Sequence, residues 1–429
     1  MNRNRRLISV TLGVIGLAVC TVRAGGGVNV TLLTGLTGEN DRNAGFVIGN
    51  DGVVGGFTQR GIPGLPSTFS EASNAALWIG GTLTTLPRPP GTPLNSLGTG
   101  AVFGLSGGTA VGSIGWNGLG GSINGFTDNR AARWDNGVVT DLGVLAPVGS
   151  IPRYEQNSAG SINTAGIVVG NSFTNWDLTS AAWRISALGG LQRLEILPGD
   201  NSTRAGGINA SGRIVGYSAF QDFDYITTQL PVYWDATLTS TSGPTAIPMP
   251  VGYNNGAAYA INDAGTVVGA AAVYVDTFSM GDFSQEPFYT DLQPLINIGG
   301  VSSFLPLPAG AVNGIAQKVN NLGWVLGTTY ATQQGDFLGA YGGFGGTQTL
   351  WIGGEIIDIG ALLQAAMPPD ATLAGVSGMN DLGQFVGTAT IPGVNGTSLS
   401  VPFIATIPEP SSLAVLTTVG LFVSRRRQR

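Results

Sequence analysis

One short phrase returns seven times along this chain, and any fold the chain adopts must accommodate that repetition. Residues 162–170 read INTAGIVVG, 208–216 INASGRIVG, 261–269 INDAGTVVG, 319–327 VNNLGWVLG and 379–387 MNDLGQFVG. Two earlier copies are degraded: residues 48–55 read IGNDGVVG, one residue short, and 104–112 read GLSGGTAVG, with Leu105 in the asparagine place. The closing glycines are 55, 112, 170, 216, 269, 327 and 387, spaced by 57, 58, 46, 53, 58 and 60 residues. Asn163, Asn209, Asn262, Asn320 and Asn380 suit the start of a turn, because this side chain bonds nearby backbone. Gly166, Gly212, Gly265, Gly323 and Gly383 then supply a left-handed position, as in a bulged hairpin loop. The β-branched residues that follow fit a strand. The closing glycine either permits close packing or ends that strand.

A second phrase follows each copy, a small residue and then an aromatic. It ends at Trp78, Trp134, Trp183, Trp234 and Trp351, with Phe288-Tyr289 and Phe403-Ile404 in the remaining two places. A third apolar phrase comes next, such as residues 139–143 (VTDLG) or 356–360 (IIDIG). Each unit therefore offers three or four short strands and no helix-length periodic segment. Units of about 55 residues with up to four strands match the blade of a propeller. The expected fold is all-β, a seven-bladed β-propeller over residues 25–407; a β-solenoid is the alternative. The seventh unit lacks its third phrase, and an unclaimed one stands at residues 30–36 (VTLLTGL). An N-terminal strand near Leu32 to Leu36 should complete the last blade beside Phe403 and close the ring, which removes open sheet edges. The repeated tryptophans read as core between blades, and Trp324, inside a repeat, reads the same way.

Composition narrows the chemistry. The chain has no histidine, and its one cysteine, Cys20, lies in a segment expected to be removed. That excludes His- or Cys-ligated metals, Ser-His-Asp triads, cysteine nucleophiles and a disulfide framework. Eight arginines sit at the two ends; without them and Glu409, 11 of the 19 basic and 24 of the 25 acidic side chains remain, a net charge of −13. A body that acidic, with Lys318 its one lysine, repels nucleic acid and anionic lipid.

Both ends read as transport signals. Residues 1–24 combine a basic start, an apolar run from Leu7 to Val19, and small residues ending at Ala24, the layout of a secretory signal peptide cut by signal peptidase. A lipoprotein reading of Cys20 is weakened by Val19, where a small residue is wanted. At residues 408–429, Pro408, Glu409 and Pro410 precede 11 apolar residues and then Arg425, Arg426 and Arg427. The prolines keep the motif extended. The apolar run enters a bilayer but is short of the about 20 residues of a full span. The arginines hold its end on the cytoplasmic side.

This C-terminus resembles the PEP-CTERM sorting signal. The resemblance implies processing by an exosortase, transient anchoring in the inner membrane through a short apolar helix, and delivery to the cell surface or extracellular matrix of a Gram-negative-type bacterium. The repeats resemble the HAF-repeat family of extracellular proteins, whose units read like DLG…AINDAGQVVG…AFLW. The histidine of that family's phrase is absent here, so no role for it carries over.

Few residues stand out for chemistry. Trp116 and Trp176 lie outside the repeated phrases and are either stacking platforms for sugar rings in an extracellular polysaccharide or ordinary loop packing. No cofactor is implied. Asp222 and Asp224 alternate as calcium ligands do, and oxygen ligation is the metal chemistry left to this composition; solvated loop charge is the plainer reading. Residues 98–100 and 342–346 are glycine-rich, but neither joins a strand to a helix as a phosphate cradle does. Asp51, Asp263 and Asp381 recur at turns. The expected function is noncatalytic, binding or structural, in extracellular polymer. The alternative is a glycosidase or lyase working through paired carboxylates. A convergent cluster of acids in the central channel would favour the enzyme; a channel of Ser, Thr, Gly and apolar residues would favour the first reading.

Overall fold

The computed structural model describes residues 27–62, 73–89, 100–115, 129–145, 156–173, 180–185, 190–222, 225–235, 243–275, 288–332 and 346–407. The signal segment with Ala24, the tail with Pro408, Glu409, Pro410, Arg425, Arg426 and Arg427, and both Trp116 and Trp176 lie outside them. Among the described residues no helix is long and apolar enough to cross a membrane.

The repeats fold as seven four-stranded antiparallel blades, and the protein is a β-propeller. Blade 4 shows the pattern: Ser202–Ile208 innermost, then Ile214–Asp222, Tyr225–Trp234 and the outer Thr245–Ala246, neighbours in that order. The other inner strands are Arg42–Ile48, Ala101–Ser106, Gln156–Ile162, Asn255–Ile261, Asn313–Val319 and Thr372–Met379. Successive inner strands pack side by side around the ring, least closely between blades 6 and 7. Blades 2 and 3 are also joined by one parallel bridge, Gln156 with Asn129. The ring closes as the unclaimed phrase suggests. Asn29–Leu32 pairs antiparallel with Ser398–Thr406, with Leu32 opposite Phe403. The paired strand stops at Leu32, earlier than the expected Leu36; Leu33 N–H adds one bond to the Pro402 carbonyl at 2.8 Å.

Each repeated phrase is the hairpin between the two inner strands of a blade. Gly166, Gly212, Gly265, Gly323 and Gly383 have φ of +76°, +86°, +81°, +78° and +71°. A Cβ added to Gly265 would meet nothing within 4 Å. Gly265→Ala should therefore cost about 1 kcal/mol, from left-handed strain alone, read as a small fall in the urea midpoint at unchanged m-value.

The closing glycine lies inside its strand, and close packing is its role. At Gly216 a Cβ would sit 1.9 Å from the Arg204 carbonyl oxygen of the inner strand; at Gly112, Gly269, Gly327 and Gly387 the matching distances are 1.9, 1.9, 2.0 and 2.0 Å. The inner strands carry a β-bulge at this level in all seven blades, and the bulge brings the carbonyl against the neighbouring backbone. Blade 1 obeys the same rule one residue later than expected. Gly56 is the closing residue, 1.8 Å from the Ala44 oxygen, and it pairs with Gly45 as Gly216 pairs with Ala205. The first copy is thus full length, with Gly49 in the asparagine place and Gly55 inside the strand.

The aromatic phrase needs three corrections. Trp78, Trp134, Trp234 and Trp351 occupy one position, two residues beyond the partner of the closing glycine. Trp183 instead faces Gly170 directly, two residues earlier on the same face. In blade 5 the matching residue is Asn297, far beyond Tyr289, because the strand Phe288–Ile298 is long; in blade 7 it is Ala405, beside Ile404. Phe403 faces Gly387 as Trp183 faces Gly170. All five tryptophans are buried between blades. The indole N–H of Trp134, Trp234 and Trp351 donates to Pro87, Glu195 and Pro306 carbonyls of the preceding blade at 2.8, 2.9 and 2.7 Å, and Trp78 donates likewise to Thr34. Trp324 is buried and stacks on Phe385, with ring centroids 6.2 Å apart.

Among the described residues an α-helix interrupts the β pattern, contrary to expectation. After the outer strand Glu355–Asp358 of blade 6, Ile359–Ala366 forms α1. Asp358 caps it, accepting from Ala361 N–H at 2.8 Å. Ile359, Leu362 and Leu363 recur at helical spacing and fill the core shared by blades 6 and 7.

Candidate functional site

The hairpin asparagines do more than start turns. Each Oδ1 accepts a backbone N–H of its own turn, as Asn209 does from Arg213 at 2.9 Å and Asn320 from Trp324 at 2.9 Å. Each Nδ2 donates to the backbone carbonyl at the same place in the next blade. Asn163 reaches Asn209 (3.0 Å), Asn209 reaches Asn262 (3.2 Å), Asn262 reaches Asn320 (3.0 Å), Asn320 reaches Asn380 (2.9 Å), and Asn380 reaches Gly49 (2.9 Å). A second belt runs one residue further along. Ala210 N–H donates to Asp263, Asp263 to Asn321, Asn321 to Asp381 and Asp381 to Asn50, at 2.7, 2.8, 2.7 and 3.0 Å. Asp263 and Asp381 are therefore blade-to-blade straps. Asp51 is not their equivalent; it accepts Val53 N–H within its own turn at 3.1 Å. This end of the ring is occupied by structure.

The channel wall is the candidate site. The seven inner strands read RNAGFVI, AVFGLS, QNSAGSI, STRAGGI, NGAAYAI, NGIAQKV and TLAGVSGM, and none carries an aspartate or glutamate. They carry Arg42, Arg204 and Lys318 instead. In an acidic protein the charged residues of these strands are all basic. The extra residue of each bulge is Phe46, Phe103, Gly160, Gly206, Tyr259 or Gln317 in blades 1 to 6. Phe46 and Phe103 stack across blades 1 and 2, with centroids 5.8 Å apart, and Phe103 remains 37% exposed.

Lys318 follows the bulge in blade 6. The matching residues elsewhere are Val47, Gly104, Ser161, Gly207, Ala260 and Gly378. At Gly104 and Gly207 a Cβ would touch the next inner strand, 3.1 Å from Ser161 Cα and 3.5 Å from Ala260 Cα. A long side chain fits at Lys318 because blades 6 and 7 stand further apart here. Lys318 is exposed to water, and the protein around it lowers its ammonium pKa through desolvation. Its strand lines the channel, with an inner strand of the ring on each side and the second strand of its blade behind it.

Among the described acids, Asp263 and Asp381 meet on the Asn321 amide, which donates to both at 2.9 and 3.0 Å. Asp200 has its carboxyl pKa raised by burial, but it accepts the Ser218 hydroxyl at 2.6 Å. The hydrogen bond from Arg133 is the main cause that holds Asp135 low. Asp41 lines a surface hollow of about 380 Å³ with Glu39, Arg60 and Gly61, where its two oxygens accept Gly38 and Gly61 N–H at 2.7 and 2.9 Å. Tyr253 donates to Asp291 at 2.6 Å, and burial and that bond raise its phenol pKa. Among the described residues no three acids gather as a metal site would require. The Asp222 side chain and Asp224 lie outside the described residues.

No family model and no curated protein matches the sequence. Among solved structures, the β-propeller domain of the trilobed protease from Pyrococcus furiosus is 9% identical, with TM-score 0.44, covering 89% of this chain and 94% of that one. The acylaminoacyl peptidase of Pyrococcus horikoshii is 12% identical, with TM-score 0.43, covering 87% and 54%. A protein of unknown function from Dyadobacter fermentans is 10% identical, with TM-score 0.35, covering 89% and 100%.

Proposed function

We propose that this is an exported surface or matrix protein whose propeller is a noncatalytic ring that holds extracellular polymer. The observation that carries the reading is the wall of the channel: seven inner strands without one carboxylate, in a chain without histidine. Glycoside cleavage by paired acids has no acid there to work with. Small residues, hydroxyls, amides, two stacked phenylalanines and the Lys318 ammonium suit holding a ligand. Export rests on the two transport signals read from the ends, with Pro408, Glu409 and Pro410 as the processed motif and an exosortase as the processing partner.

Two measurements test this. The body, arrayed against glycans with and without calcium, should retain polysaccharide without shortening it; release of reducing ends would overturn the noncatalytic reading. In the native host, changing Glu409 or deleting Arg425 to Arg427 should leave unprocessed precursor at the inner membrane. Mature surface protein still carrying peptides from Leu413 onward would overturn the sorting reading.

A further inference from the structure

We propose that Lys318 is an oxyanion-binding residue of the channel, and that its ligand is the carboxylate or sulfate of an acidic glycan; this rests on the extracellular-polymer reading. Six of seven blades place Gly, Ala, Ser or Val at this position, so ring packing does not call for a lysine. The chain has no other lysine. Among the described residues nothing forms an ion pair or hydrogen bond with the Lys318 side chain, and no inner strand offers it a carboxylate. A water-facing ammonium that no inner-strand carboxylate neutralises is free to take an oxyanion as a charge-assisted partner. The stacked Phe46 and Phe103 give the same channel an apolar ring face on which the C–H face of a sugar can lie. The oxyanion and the sugar face are thus recognised by different residues, which is what an acidic glycan presents.

The test uses tetragalacturonate, maltotetraose as its neutral counterpart, and inorganic sulfate, each titrated into purified wild-type protein, Lys318→Gln and Lys318→Arg. Lys318 faces water, so both variants should melt with the wild type. Tetragalacturonate should bind the wild type at least about tenfold more tightly than Lys318→Gln, a difference of about 1.4 kcal/mol, with Lys318→Arg close to wild type. It should also shield Lys318 from an amine-reactive label read by mass spectrometry, a clean measurement in a chain with one lysine. Equal binding to wild type and Lys318→Gln, equal binding of the neutral tetramer, or undiminished labelling overturns the site. Lys318-dependent binding of sulfate without binding of either tetrasaccharide supports the oxyanion site and overturns the extracellular-polymer reading.

Discussion

Gly216→Ala should unfold the protein or leave it insoluble, whereas Gly265→Ala, fewer than 50 residues away in the next repeat, should be tolerated. The two glycines are needed for different reasons. Gly265 has positive φ and open space, so a methyl group adds only backbone strain. Gly216 has no φ requirement; its missing Cβ is replaced by the Arg204 carbonyl of the inner strand at 1.9 Å. A carbon atom needs more than an ångström of further separation, and neither partner is a side chain that can rotate away. The inner strand would have to leave the hairpin or the bulge would have to flatten. Either move displaces Ala205 and Ile208 from the core that blades 3 and 4 share with Trp234. The expected loss exceeds about 4 kcal/mol, the range reserved for core and backbone defects, against a total stability of about 5–15 kcal/mol for a typical domain. Thermal melts of the two variants beside wild type decide it. A Gly216→Ala melt no lower than that of Gly265→Ala would show that the bulge yields, and the explanation for the closing glycine would fall.

That contrast marks what the sequence could and could not disclose. The repeat count, the hairpins and the ring closure were legible because each rests on local chemistry: a turn asparagine, a left-handed glycine, a strand, and one spare strand at the start. The closing glycine was visible but ambiguous, since a bulge in the partner strand leaves no mark on the glycine's own neighbours. Gly55 and Gly56 are equivalent as letters in the sequence, and only the pairing of Gly56 with Gly45 separates them. Trp183 matched the phrase yet shifted by two residues, because a two-residue slip keeps a side chain on the same face of a strand. Helix α1 was missed because residues 356–360 read as strand, while the apolar spacing that buries Leu362 and Leu363 begins only where that phrase ends. In the sequence Lys318 stands out only as the one lysine. Its place beside a bulge depends on Gln317 being the unpaired residue, which strand register shows and composition does not.

Asn320→Ala should be the most damaging substitution in the turns themselves, and it separates two readings of the repeated asparagine. Were the residue only a turn former, alanine would cost the one bond from Trp324 N–H to Oδ1, and serine or aspartate would serve nearly as well. The geometry asks for more. The side chain must accept within its own blade and donate to the Asn380 carbonyl of the next blade, 2.9 Å away. Aspartate has the acceptor but no donor, and serine is too short to do both; an amide carries both groups at the right reach. Asn320 is 5% exposed, so alanine leaves a buried N–H and a buried carbonyl unpaired at about 1–3 kcal/mol each. The summed loss should be about 3–5 kcal/mol, and Asn320→Asp should recover little of it, since a carboxylate oxygen would then face the Asn380 carbonyl. Urea melts of the two variants would read this directly, and recovery of most of the stability by aspartate would reduce the asparagine to a turn former. The belt also fixes where the ring should open first. It runs from blade 3 through blade 7 and across the closure to Gly49 in blade 1. It has no asparagine to continue it at Gly49 or Leu105, so blade 2 is held without the belt, by core packing, the Trp134 and Arg133 side-chain bonds to Pro87 and Gly166, and the bridge between Gln156 and Asn129. Amide exchange in Ala101–Ser106 should therefore outpace exchange in Asn255–Ile261 in the wild type. Asn320→Ala should bring the strands of blades 6 and 7 toward the faster rate, because it removes from that join what blade 2 never had.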